Sequence, residues 1–166
     1  MKKLTEINKA YLAGLLDGDG SIITQIVHNN TYKYKFYIKI SIVFYQKNTK
    51  HWFILYLQKI FKPHGYVRKR ENMSEFVIVA KEPVKLILKE LYPYFILKKG
   101  LVKLVLNIIH KIENVETEAD FLKVCQMVDE TAKYTYSKKR KLTYNYVKNY
   151  LSSPVETSFN NKRDGI

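Results

Sequence analysis

The 166-residue chain carries a formal net charge of +14 and is 46% hydrophobic, enough apolar content for one real core and an excess of positive charge that calls for a polyanionic partner. A single cysteine, Cys125, excludes an intramolecular disulfide framework, and no stretch reaches the roughly 18 uninterrupted apolar residues of a membrane-spanning helix. Nucleic acid is therefore the leading partner; neither a membrane nor a small-molecule substrate is expected, and the chain reads as soluble and not secreted.

Glu6 to Leu16 hold apolar residues at helical spacing with no glycine or proline before Gly14, which predicts a helix ending in the turn Asp17-Gly18-Asp19-Gly20. Tyr11, Leu12, Leu15 and Leu16 form its bulky side. Ala10, Ala13, Gly14 and Asp17 fall at i, i+3, i+4 and i+7, a stripe small enough to let another helix approach closely. Ser21 to Val27 and Lys35 to Gln46 read as the strands of a long hairpin around His28-Asn29-Asn30-Thr31. In the second strand Phe36, Ile38, Ile40, Ile42 and Phe44 alternate with Tyr37, Lys39, Ser41, Val43 and Tyr45, giving one core face and one amphipathic outer face.

Asn48 or Thr49 is placed to cap a helix running to about Phe61, which Pro63-His64-Gly65 breaks. A second hairpin, Tyr66 to Arg70 and Glu75 to Ala80, precedes a helix opened by Pro83. Further helices are predicted from about Lys99 to Ile112, from the cap Thr117 with Asp120 three residues on, and from Tyr144 to Leu151. Cys125 sits in an apolar helical run and reads as core. The order is αββαββα with additional C-terminal helices, an α+β class. It is expected to form one domain over residues 1–151, with a tail from 152 to 166.

The stretch from Leu12 to Ser21 resembles the signature of the LAGLIDADG homing endonucleases, with Leu16 and Gly18 as conservative departures from its letters. Order, spacing and length of the elements resemble the single-motif, homodimeric members encoded in group I introns of algal chloroplasts. The resemblance implies a DNA endonuclease that makes a double-strand break in a long near-palindromic site, leaves short 3′ overhangs and promotes intron mobility. Double-stranded DNA and a second copy of the chain are the implied partners, and the two hairpins form the implied DNA-binding saddle.

By the same resemblance Asp19 and the Gly18 carbonyl hold Mg²⁺, with Mn²⁺ as a substitute. This suits a phosphodiester, whose anionic character repels its nucleophile until a metal neutralises it. Gln46 matches a polar residue that orders water near the scissile phosphate, and Lys98 matches a lysine reaching the same pocket. The small stripe Ala10, Ala13, Gly14 and Asp17 becomes the implied dimer interface. Implied DNA contacts are Gln25, Val27, Asn29, Thr31, Tyr32, Tyr37, Lys39, Ser41, Val43, Lys47, Lys50, Arg68, Arg70, Glu75 and Val77 on and beside the hairpins, with Ser137, Lys138 and Lys141 holding phosphates. Arg68 and Arg70, two apart on one strand, suit bidentate guanine contacts.

Two other readings compete. A cleavage-defective member of the same family would bind RNA as a maturase or DNA as a regulator, and a basic sheet domain would stack bases on Tyr32, Tyr37 and Tyr45. The second leaves the small stripe and the Asp-Gly-Asp-Gly turn unexplained. With Arg68, Arg70, Arg140 and Arg163 as the only arginines, 25 of 29 basic residues are lysine, a bias that suits an AT-rich genome and an organelle, chloroplast before mitochondrion.

Overall fold

The computed structural model describes residues 4–135 and 140–153. Helix α1 (Glu6–Gly18) is followed by β1 (Ser21–His28), β2 (Phe36–Lys47), α2 (His51–Phe61), β3 (Tyr66–Lys69), β4 (Met73–Val79), α3 (Lys81–Leu91), α4 (Lys99–Glu113), α5 (Glu118–Glu130) and α6 (Tyr144–Ser152). The αββαββα order predicted from periodicity is the order observed, and the two hairpins join into one antiparallel sheet, β1-β2-β4-β3. Ser41 opposite Val79 and Lys47 opposite Met73 mark the ends of the β2–β4 seam.

Period two decides what each sheet face does. Ile22, Ile42 and Ile78 align across β1, β2 and β4 on the inner face, as Phe44, Phe76 and Val67 do across β2, β4 and β3. The helices cover that face. The rings of Phe44, Phe61 and Phe76 pack with centroids 5.7 to 6.5 Å apart, all three fully buried. The outer face carries the rows Ser21–Val43–Val77–Tyr66 and Tyr45–Glu75–Arg68.

Local chemistry explains most boundaries. Thr5 caps α1 by accepting from the Asn8 amide at 3.3 Å, and Thr117 with Asp120 makes a complete capping box on α5. Three details differ from the sequence reading. Asn48 does not cap α2: a short 3-10 turn precedes that helix, while the Asn48 amide group donates to the carbonyls of Arg70 and Glu71 at 2.9 and 2.8 Å and accepts from Ser74 at 2.6 Å. It fastens the β3–β4 turn instead. Pro83 lies inside the first turn of α3 rather than at its start, where a missing amide costs nothing because that turn has no acceptor for it. Helix α1 runs two residues further than expected, to Gly18. Cys125 is buried, and burial pushes its thiol up to about 12, as the core reading requires.

Removing the Phe76 ring leaves a cavity between two other aromatic rings. Phe76→Ala is expected to lower unfolding free energy by about 3 to 5 kcal/mol in urea titration, with an unchanged m-value.

Candidate functional site

The end of α1 is where the chain's chemistry gathers. Gly20 lets β1 leave the helix directly, because a Cβ there would sit 2.9 Å from the Leu16 Cα. The backbone thus delivers Asp17 inward and Gly18 and Asp19 outward within three residues. Asp19 is exposed, its amide donates to Leu15 O at 3.0 Å, and among the described residues its carboxylate accepts no hydrogen bond.

Asp17 is not part of an outward stripe. Its carboxylate is 9% exposed, and it accepts three backbone amides from the segment before α4: Ile96 at 2.7 Å and Leu97 at 3.0 Å on Oδ2, Lys98 at 2.8 Å on Oδ1. Ala13 is likewise buried against the core. The expected dimer-facing set of Ala10, Ala13, Gly14 and Asp17 is therefore corrected at two of its four positions. Leu12 and Leu16 both face inward at 0% exposure, which turns the helix so that Ala13 lies between them and Tyr11 points out. The outward stripe is Ile7, Ala10, Tyr11, Gly14 and Gly18, and a Cβ on either glycine would meet nothing.

This stripe belongs to a larger apolar surface. Tyr11 meets Phe53 of α2 edge to face at 6.4 Å, Phe53 meets Trp52 and Tyr56 at 5.8 and 6.0 Å, and Ile96 and Leu97 are 85% and 78% exposed beyond the helix end. A contiguous exposed patch of this kind marks an interaction surface rather than scattered solvent-facing residues.

Lys98 is held as closely as Asp17. Its ammonium donates to the carbonyls of Leu16 and Asp17 at 2.7 Å and of Gly20 at 2.9 Å, with Gly18 O at 3.4 Å. Leu16, Asp17 and Gly18 are carbonyls that the helix C-terminus leaves without intrahelical donors, Gly20 lies just past the helix end, and a cation there also meets the favourable end of the helix dipole. Burial lowers the Lys98 pKa below its ordinary value, against the opposing charges of Asp17 and Asp19. Asp19 and Lys98 line one groove of about 1010 Å³ with Ser21, Gln25, Arg140 and Lys141. Gln46 does not line it. It stands at the end of β2, three residues past the Val43 that faces Ser21, with its Oε1 accepting from the Lys47 amide at 3.1 Å.

On the outer face Gln25, Thr31, Tyr32, Lys39, Lys47, Lys50, Arg68, Arg70 and Lys141 are exposed, and Val27, Asn29 and Tyr37 are half-buried. Tyr32 stacks on Tyr37 at 4.7 Å, and Asn29 shapes the hairpin tip by accepting from Thr31 N and Oγ1 at 3.0 and 2.8 Å. Ser41, Val43 and Val77 are only 4 to 6% exposed, because β2 and β4 are the central strands and their neighbours overhang them. Glu75 is also covered, and both its oxygens are engaged. Oε2 accepts from Arg68 Nε at 2.6 Å and Oε1 from Arg70 Nε at 2.8 Å. Glu75 therefore orients the two arginines rather than presenting its carboxylate outward, and it engages Arg68 through Nη2 as well as Nε. Ser137 and Lys138 lie outside the described residues.

The sequence reading assigns Arg140 no role in the site. Its guanidinium donates to Val128 O and, at 2.7 Å, to Thr131 Oγ1; Thr131 spends its own proton on Val128 O at 2.7 Å, so Thr24 of β1 donates to it at 3.0 Å. A lone arginine within the run Ser137-Lys138-Lys139-Arg140-Lys141 of a lysine-biased chain was the available signal, since a planar fork does what an ammonium does not.

Residues 12–107 match the model of the LAGLIDADG endonuclease family. The chain is 38% identical over 158 residues to the DNA endonuclease I-CreI of Chlamydomonas reinhardtii, covering 92% of this chain and 95% of that protein. It is 35% identical over 147 residues to the DNA endonuclease I-CvuI of Chlorella vulgaris, with coverage of 88% and 91%. The crystal structure of I-CvuI in complex with its target in the presence of calcium superposes with a TM-score of 0.81, covering 90% of this chain and 97% of that one.

Because Lys98 binds its proton less tightly folded than unfolded, the unfolded chain carries more protons in the window below the ordinary lysine value of 10.5. Stability conferred by this group therefore rises with pH through that window. The difference in unfolding free energy between wild type and Lys98→Met is expected to grow as pH approaches 10.5; a flat difference would mean that burial does not dominate at this site.

Proposed function

The chain belongs to the LAGLIDADG endonuclease family, and on that premise we propose that it acts as a homodimer that makes a site-specific double-strand break in a long, near-palindromic DNA target by Mg²⁺-dependent phosphodiester hydrolysis, leaving short 3′ overhangs and so promoting mobility of the intron that encodes it. One observation carries this reading. The exposed carboxylate of Asp19 follows directly on the outward stripe of Ile7, Ala10, Tyr11, Gly14 and Gly18, so a partner approaching along that stripe brings a second Asp19 beside the first. A two-fold dimer presents the same surface from both copies, and its symmetry suits a target with matching half-sites.

The donors fit a hard divalent ion. Among the described residues no cluster of three His, Cys, Asp or Glu side chains forms within one chain. One carboxylate per protomer, the Gly18 carbonyl, phosphate oxygens and water form an all-oxygen set of the kind Mg²⁺ accepts with few protein ligands, and Mn²⁺ accepts the same donors. Bound there, the ion supplies Lewis-acid neutralisation of the charge that builds up on the phosphate.

The protein's own groups do the rest. Asp19 fixes the position of the anionic site at the helix end, and Lys98, held by the neighbouring carbonyls, places a positive charge where negative charge develops during attack by water. Gln46 orders that water from the end of β2. Arg68 and Arg70, braced by Glu75, meet base edges in the major groove, which a two-stranded ribbon fits. Lys47, Lys50 and Lys141 meet phosphates and set register without reading sequence. The lysine-, asparagine-, tyrosine- and isoleucine-rich composition supports an organellar home, a chloroplast first.

The purified protein with Mg²⁺ is expected to cut both strands at one site in the uninterrupted form of its host gene. Asp19→Asn is expected to bind that site with comparable affinity and leave it intact. Cutting by Asp19→Asn at the wild-type rate contradicts the assignment, and tight binding without cleavage by wild type would favour a cleavage-defective binder.

A further inference from the structure

The end of α1 and the segment leading into α4 hold each other across 81 residues of chain. The Lys98 ammonium closes the carbonyls at the end of α1, and the Asp17 carboxylate collects the amides of residues 96, 97 and 98 that lead into α4. Helix α4 has no side-chain cap of its own at Lys98, and Asp17, from a distant part of the sequence, instead holds the three amides of the segment that enters it. We propose that Asp17 is the positioning residue for Lys98, the group that fixes where the active-site ammonium stands; this rests on the nuclease reading above.

Lys98 has a long, flexible stem, so the location of its nitrogen depends on where its Cα is anchored. The Lys98 backbone amide is 2.8 Å from Asp17 Oδ1, and the Lys98 Nζ is 2.7 Å from Asp17 O. One residue of α1 therefore holds Lys98 at both ends, by its side chain and by its main chain. Ile96 and Leu97, whose side chains are among the most exposed in the chain, would otherwise leave this segment with little packing. Both carboxylate oxygens are engaged, and an amide in their place would turn an NH₂ group toward a backbone donor. Asp19, two residues on, makes no comparable contact and is left free for the metal.

Asp17→Asn in the full chain tests this, at protein concentrations where sedimentation shows a dimer. The variant is expected to fold cooperatively and to bind target DNA in Ca²⁺ within about threefold of wild type, since the recognition face is untouched. Its single-turnover cleavage rate in Mg²⁺ is expected to fall about 100-fold, the scale of an ångström-size misplacement. Lys98→Met should already have lost what Asp17 supplies, so Asp17→Asn combined with Lys98→Met should cut no more than about threefold slower than Lys98→Met alone. Combined with Gln46→Ala, the Asp17→Asn effect should multiply in full. A full multiplicative loss with Lys98→Met, or an unchanged rate in Asp17→Asn, overturns the proposal.

Amide hydrogen exchange of the wild-type protein without DNA supplies a check that needs neither a folded variant nor activity. The amides of 96, 97 and 98 are expected to exchange about 100-fold or more slower than an unstructured chain, and free exchange there overturns the proposal by itself. Failure of the nuclease reading shows differently, as no cleavage by wild type, with the exchange result still deciding the placement of Asp17.

Discussion

Everything at the working end of this molecule depends on how the C-terminus of α1 is closed. A helix that stops leaves several carbonyls without donors, and here the Lys98 ammonium satisfies those of Leu16 and Asp17 at 2.7 Å and that of Gly20, just past the helix, at 2.9 Å, while Asp17 ties the lysine's own backbone back to the helix. With that turn fixed, Gly20 starts β1 immediately, so the sheet and the Asp19 carboxylate take their places relative to one another from a single junction. The Ile96–Leu97 segment that hangs on Asp17 also borders the exposed apolar surface. Association and chemistry therefore meet at one buried carboxylate.

The distribution of charge follows the same division of labour. The net charge of +14 places cations on the outer sheet face and in the groove beside Asp19, where an anionic polymer would lie. The face built from Ile7, Tyr11, Trp52, Tyr56, Ile96 and Leu97 is apolar, and suits a second protein surface. On the sheet, Glu75 is the exception that organises its neighbours: a nearly buried carboxylate holds two half-exposed arginines, Arg68 through Nε and Nη2 and Arg70 through Nε. Positive charge and exposed apolar area are thus segregated onto different faces of the molecule.

Much of this was legible in the sequence, for identifiable reasons. Period-two alternation in Phe36 to Tyr45 fixed the face of β2 because a strand has only two sides. Thr117 with Asp120 announced α5 because a capping box is a local motif. What the residues did not reveal was non-local or a matter of a small rotation. The role of Asp17 depends on backbone amides 79 to 81 positions away, and amides carry no side-chain signature. The facing of α1 was misjudged by about one residue, because Ala13 fits a small outward stripe as well as it fits a crowded core and only Leu12 and Leu16 decide between them. Likewise Asn48 looked like a local cap, and its partners turned out to be Arg70, Glu71 and Ser74 across the sheet.

In the proposed dimer one protomer supplies only part of the cleavage site, and two Asp19 carboxylates complete it. A mixed dimer tests this most directly: differently tagged wild-type and Asp19→Asn protomers are co-expressed, the heterodimer is isolated through both tags, and nicked and linear products are followed on a supercoiled plasmid bearing the target. The account predicts that the mixed dimer produces no linear DNA at a rate approaching that of wild type. Linearisation at the wild-type rate by a dimer with a single intact Asp19 would contradict it.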